Sequence, residues 1–209
     1  MSSTSSLLLF LAAAFVIAIT PGPGIFYVAA RSLAGGRDEG LASSFGTGLG
    51  GLVHVFAGAF GVSALVMASA DAFAVLKWAG VVYLIWLGVK TFREARIEVP
   101  AGIRATGSGR AFREGILVEA LNPKTAAFFL AFIPQFVDAS HGSVAFQFVT
   151  LGLISIVLNT SADVVVAFMA SRARDSLAER PGLIRRLRET SGIVICGLGA
   201  SLALARRTG

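Results

Sequence analysis

Apolar stretches of membrane-crossing length recur along this chain, and few folds can accommodate them. A helix needs roughly 20 apolar residues to cross the hydrocarbon core of a bilayer. Leu7–Ala29, Leu41–Ala70 and Val144–Ala162 contain no Asp, Glu, Lys or Arg, and the last run continues past Asp163 to Ala170. Ala72–Val89 is interrupted only by Lys77, and Ile116–Val137 only by Glu119 and Lys124. Thr190–Ala205 is a shorter, marginal sixth stretch. Charged residues make up 14% of the 209, where about 25% is usual in soluble domains. With mean hydropathy at +0.77, a soluble globule of this size could not hide so much apolar side chain. Disorder, a disulfide scaffold and a soluble enzyme are excluded, and an all-α integral membrane protein is expected.

The net charge of +6 sits in short loops between the apolar runs, so it points to membrane orientation and anionic lipid headgroups and not to nucleic acid. Fourteen of the 18 Lys and Arg fall in the loops after the first, third and fifth stretches, from Arg31 and Arg37 through Lys90–Arg113 to Arg172–Arg188. That side is expected to be cytoplasmic, with the N-terminus outside. Met1 to Ala30 carries no charge. Without a basic flank, Leu7–Ala18 reads as the start of a first span and not as a signal peptide. Cys196 is the single cysteine, so no disulfide or CxxC pair can form within the chain.

The stretches divide into two sets of three. Leu76-Lys77, Gly80 and Leu87-Gly88 in the third stretch match Leu187-Arg188, Gly192 and Leu198-Gly199 in the last, with the basic residue preceding the final Gly by the same interval. A basic linker over 93–112, containing Pro100, separates residues 1–92 from 113–209. The expected architecture is one membrane domain of six transmembrane helices in two inverted three-helix repeats, as in many secondary transporters. The first and fourth helices each carry a breaker near mid-membrane: Thr20-Pro21-Gly22-Pro23-Gly24 and Asn122-Pro123-Lys124. Proline removes an N–H donor and disturbs the preceding turn, and such breaks are tolerated at membrane depth only where protein or a cavity satisfies the backbone. One break is an ordinary packing kink. Two at corresponding positions point to a substrate site.

The side chains near these breaks suit a zwitterion. Freed N–H groups at the two breaks and the Lys124 ammonium suit a carboxylate, while Lys124 could instead cap a freed carbonyl. Asp163, with Asn159 one turn before it, suits an ammonium or a transported proton; its plainer role is an ion pair with Arg172 or Arg174. Glu119 is a candidate for gating or proton coupling, or a partner for a linker arginine. His54 is either hydrogen-bonded core or a proton relay. Lys77, near a span end, is expected to snorkel. Ala42, Gly46, Gly50, His54 and Gly58 recur every four residues and suit close packing of the second span, inside the chain or in a homodimer. No cofactor is called for, and with two His, one Cys and no HExxH motif a membrane-embedded enzyme is not expected.

Several of these motifs carry a family resemblance. Thr20-Pro21-Gly22-Pro23, the turn from Arg31-Ser32-Leu33 to Gly40-Leu41, and the Gly46–Gly61 span resemble the LysE/RhtB family of amino-acid exporters. So do Tyr83-Leu84 with Leu87-Gly88, Leu121-Asn122-Pro123-Lys124 and Ile133-Pro134-Gln135-Phe136, and the resemblance runs from about residue 7 to 205. It implies a six-helix inner-membrane protein of bacteria that exports amino acids, or relatives such as homoserine lactone, against a gradient by proton exchange. Divalent-cation export, carried out by related families, is the alternative.

Overall fold

The computed structural model describes residues 4–68, 70–93, 104–138, 140 and 142–172, and 186, 189–190, 193–197, 199–200 and 203 near the end of the chain. Half of the expected linker (94–103), the basic loop 173–185, and parts of the marginal sixth stretch lie outside the described residues. What is described is helical: α1 (Thr4–Ile19), α2 (Pro23–Ala68), α3 (Ala70–Arg93), α4 (Ser108–Ala120), α5 (Pro123–Ala127) and α6 (Val144–Arg172). A π turn (Phe128–Phe132) and a 3-10 turn (Ile133–Phe136) extend α5. Among the described residues α6 alone is a single helix long and apolar enough to cross a membrane; two pairs reach that length as one bent span each, Ser5–Ile19 with Pro23–Gly61 (44°) and Ser108–Ala120 with Pro123–Phe136 (41°).

The loop expected between the first two stretches is almost entirely helix, and a single residue turns the chain. Gly36 has φ 74° and ψ −162°, a left-handed conformation that only glycine adopts cheaply. The chain reverses there. A Cβ added at Gly40 would overlap the Ser32 hydroxyl, whereas residues eight apart in one continuous helix stand about 12 Å apart. α2 is therefore a hairpin with arms 23–35 and 37–68.

The two arms flank α4 in opposite directions. Along the first, Tyr27 donates to the Ala111 carbonyl (2.9 Å), a Cβ at Gly24 would stand 2.7 Å from Glu119 Oε2, and one at Gly22 would stand 3.1 Å from Lys124 Cδ. Further on, Phe10 meets Phe136 edge-on. The two broken helices thus lie side by side and antiparallel, with their breaks facing each other. The second arm runs parallel to α4 at nearly constant register, from Glu39 beside Gly107 to His54 beside Glu119. It also runs antiparallel to α6, where Gly40 faces Ala167, Gly48 faces Thr160 and Gly58 faces Phe148.

Glycines make these contacts close enough to be backbone to backbone. A Cβ at Gly46 would collide with the Phe112 carbonyl, and one at Gly50 with the Ile116 carbonyl. From the other side, a Cβ at Gly115 would stand 2.8 Å from the Ser43 carbonyl. The four-residue row read in the sequence is used for packing inside the chain. At the end of this seam Glu39, 3% exposed, accepts from the Thr106 and Gly107 amides and so supplies the cap that Gly107 cannot. Arg31 spans Glu39 (3.8 Å) and Glu114 (3.7 Å) and also donates to Thr106.

The apolar core lies beyond the breaks, where Phe10, Val55, Leu84, Phe128, Phe129, Phe132, Ile133 and Phe148 pack together with Ile195 from the final segment. Cys196, from the same segment, donates to the Ile85 carbonyl of α3. Lys77 stands 5.9 Å from the Trp78 ring.

The seam makes a paired prediction. Gly50→Leu is expected to cost about 3 kcal/mol or more, because the opposing group is backbone and cannot turn aside. Gly61→Leu, with nothing within 4 Å of its Cβ position, is expected to be tolerated. Melting temperature and the monodisperse fraction in detergent check both.

Candidate functional site

Each break is built by proline and finished by a distant side chain. Pro21 and Pro23 end α1 at Ile19 and restart the chain at Pro23, a first-turn position where a missing N–H costs nothing. Pro21 cannot donate to the Ile17 carbonyl four residues upstream, and the Thr20 carbonyl also lacks its usual donor. Lys124 Nζ takes both, at 3.1 Å to Ile17 O and 2.8 Å to Thr20 O. Asn122 caps α5 by accepting from the Lys124 amide at 3.1 Å, with Pro123 again in the first turn. His54 Nε2 lies 2.8 Å from the Glu119 carbonyl, which loses its i+4 donor to Pro123 and also accepts from the Asn122 amide at 3.0 Å. Pro134 repeats the effect on Leu130, and there the helix widens into the π turn before tightening into the 3-10 turn.

A small closed cavity lies beside the facing breaks. Its walls come from Ile17 of α1, Thr47, Gly48 and Gly51 of α2, Glu119 of α4, and Lys124, Thr125, Phe128 and Phe129 beyond the second break. α6 contributes Ser155, Ile156, Asn159, Thr160 and Asp163. The space open to the centre of a water molecule is about 20 Å³, room for about one water. Lys124 is 4% exposed, and Glu119 and Asp163 are 2% exposed. Charged groups at such depth are rare and costly unless they have work to do.

Each charge has polar partners, yet among the described residues no ion pair joins them. Glu119 accepts from Asn122 Nδ2 (2.8 Å) and Thr125 Oγ1 (2.6 Å), not from a described linker arginine. Asp163 meets Thr47 and not Arg172, and Arg174 lies outside the described residues. Lys124 spends two of its three N–H donors on carbonyls, and the third has no protein partner among the described residues.

Thr47 is shared between two acceptors. Its hydroxyl oxygen lies 2.8 Å from Asp163 Oδ2 and 2.8 Å from the Ser44 carbonyl, but it owns one proton. With Asp163 ionised, that proton goes to the carboxylate. With Asp163 neutral, the acid donates to Thr47 and Thr47 donates to Ser44. Either protonation state is satisfied without moving a heavy atom.

Of the expected site residues, Asn159, Asp163, Glu119 and Lys124 line the cavity. Thr20, Pro21, Gly22, Pro23, Gly24, Asn122, Pro123 and His54 stand behind its wall. Gly22 and Gly24 matter by their lack of a side chain, which lets Lys124 and Glu119 approach. The sequence reading missed Thr47, Thr125, Ser155 and Thr160. A signal for α6 was there: Ser155, Asn159 and Asp163 form a polar row at four-residue spacing on an otherwise apolar helix.

The chain is 32% identical over 194 residues to a homoserine/homoserine lactone efflux protein of Salmonella typhimurium, covering 91% of this chain and 92% of that protein. It is 29% identical to a membrane protein of Vibrio cholerae, over 95% of this chain and 97% of the other. A leucine efflux protein of Klebsiella pneumoniae is 26% identical over 94% of this chain and 93% of its own. No solved structure matches. The family model described as LysE type translocator matches residues 15–206, nearly the whole chain, and the protein belongs to that family.

Proposed function

We propose that this chain exports neutral amino acids or their close derivatives from the cytoplasm across the bacterial inner membrane, in exchange for protons. The observation that carries the reading is the closed polar cavity at the meeting of the two breaks, where Lys124, Glu119 and Asp163 bring both signs of charge to a buried place. A zwitterion needs both signs. The unspent N–H of Lys124 suits its carboxylate; Asp163 and Asn159 suit its ammonium. The efflux names of the Salmonella and Klebsiella relatives support small neutral amino acids as the substrate class.

Thr47 and Asp163 support the proton-coupled part of this reading. The acid can hold a proton with its hydrogen bonds complete, and the ionised form is held equally well by the same hydroxyl. Room for about one water is too little for an amino acid, so loading requires the walls to part. Arg31, Arg104 and Arg110 gather where the α2 hairpin turns, which supports placing that end in the cytoplasm. For divalent cations, the alternative cargo, no group of three or more His, Cys, Asp or Glu gathers among the described residues.

Counterflow in proteoliposomes loaded with a panel of amino acids, with and without a pH gradient, is the direct test. Saturable movement of a small neutral group, stimulated by the gradient, is expected; no movement of any amino acid would overturn the reading. Asp163→Asn is expected to remove the stimulation by the gradient while leaving melting temperature near wild type. Thr47→Val is expected to shift the pH profile of export, because neither form of Asp163 then has a hydroxyl partner. Lys124→Met leaves the Thr20 carbonyl without a donor, at a cost of about 1–3 kcal/mol, and the Ile17 carbonyl with only the 3.3 Å contact from the Thr20 amide. Thermal melting should register that loss, alongside abolished export.

A further inference from the structure

A proline that interrupts a helix strips the carbonyl four residues upstream of its donor. For Pro21 that carbonyl belongs to Ile17, left with a 3.3 Å contact from the Thr20 amide, and for Pro123 to Glu119, which the Asn122 amide still reaches at 3.0 Å, so each keeps one lone pair for a side chain. Ile17 O takes Lys124 Nζ and Glu119 O takes His54 Nε2. Lys124 comes from the C-terminal half of the chain and serves the first break; His54 comes from α2 and serves the second. The two caps are reciprocal. A carbonyl oxygen only accepts, so Nε2 carries a hydrogen whether the ring is neutral or charged.

His54 is otherwise placed for a constant role. Its ring is 9% exposed, packs on Phe129 at 5.8 Å between centroids, and is not part of the cavity wall. The titratable groups of the neighbouring elements are Glu119 on α4, Lys124 on α5 and Asp163 on α6. Among the described residues, none of their side chains is hydrogen-bonded to the ring. A proton leaving Nε2 would meet a backbone carbonyl, which cannot carry it onward. Of the two readings of His54 in the sequence, hydrogen-bonded core and proton relay, this contact fits the first.

We propose that His54 is a positioning residue at the second break: its Nε2–H takes the remaining lone pair of the Glu119 carbonyl, beside the Asn122 amide, and that bond fixes the Glu119 carboxylate and the Asn122-Pro123-Lys124 turn at the cavity wall. Only the transport readout of its test rests on the export reading; the cap can be tested without it.

The test compares His54→Gln with His54→Leu. Glutamine places an amide N–H about where Nε2 stands and carries no proton; leucine fills the space and donates nothing. Purified proteins are melted in detergent, and counterflow of the amino-acid panel is measured between about pH 5 and 8, where a histidine titrates. His54→Gln is expected to keep the wild-type melting temperature, KM and pH profile. His54→Leu is expected to melt lower and to raise KM about fivefold or more, as for loss of a buried hydrogen bond. If His54→Leu fails to accumulate while His54→Gln accumulates normally, the cap is equally supported.

The proposal is overturned if His54→Gln is as impaired as His54→Leu, if its pH profile is displaced, or if His54→Leu matches wild type. Should wild-type vesicles move no amino acid, the export reading fails, and the melting comparison still decides whether His54 is the cap.

Discussion

Two carbonyls that lose their i+4 donors at membrane depth, and keep only a 3-10-type contact three residues on, set the terms for the rest of this protein. In water such groups would be solvated; inside a bilayer each needs a protein donor or costs several kcal/mol. Pro21 and Pro123 create the deficit, and Lys124 and His54 remove it from the opposite half of the chain. The bent helices therefore cannot form independently. Their breaks must face each other, and that requirement places α1 and the first arm of α2 antiparallel to α4 and α5. Burial of Lys124, Glu119 and Asp163 around one small cavity follows from the same arrangement.

Much of this was legible in the sequence. Pro21, Pro23 and Pro123 announced both breaks, because a missing N–H is a property of the residue itself. Asp163, Glu119 and Lys124 stood out as charges in apolar runs, and the Gly46–Gly50 row announced a close helix contact. Other features depend on how helices are rotated against one another, which periodicity leaves open when a helix is apolar on nearly every face. Thr47 meets Asp163 across 116 positions, and nothing near either residue selects the other. The partner of Lys124 is a backbone atom, which has no signature in a residue alphabet. Gly36 was visible as one of a Gly-Gly pair inside an expected turn, but helix continuing to both sides of it was not.

The charged residues divide along the long axis of the bundle. Near the α2 turn, Arg31, Glu39, Glu114 and Arg110 form a network of ion pairs and amide contacts that ties the start of α4 to the hairpin. At the cavity the same chemical types avoid one another and use neutral partners instead. Ion pairs hold the end; hydroxyls, amides and carbonyls hold the middle. A charge bound by neutral groups remains available to a charged ligand, whereas one already matched by its opposite must be pulled away first.

The glycine seam has a consequence for motion. It crosses from the N-terminal to the C-terminal half of the chain, joining the second arm of α2 to α4 through backbone contacts at Gly46, Gly50 and Gly115. Surfaces in such intimate register slide poorly, since every carbonyl bump sits in a pit made for it. Rocking one half of the chain as a block against the other would have to unzip this joint along its length. The mechanical unit is then α2 with α4, a spine drawn from both halves, and the pieces free to swing are the short limbs beyond each proline.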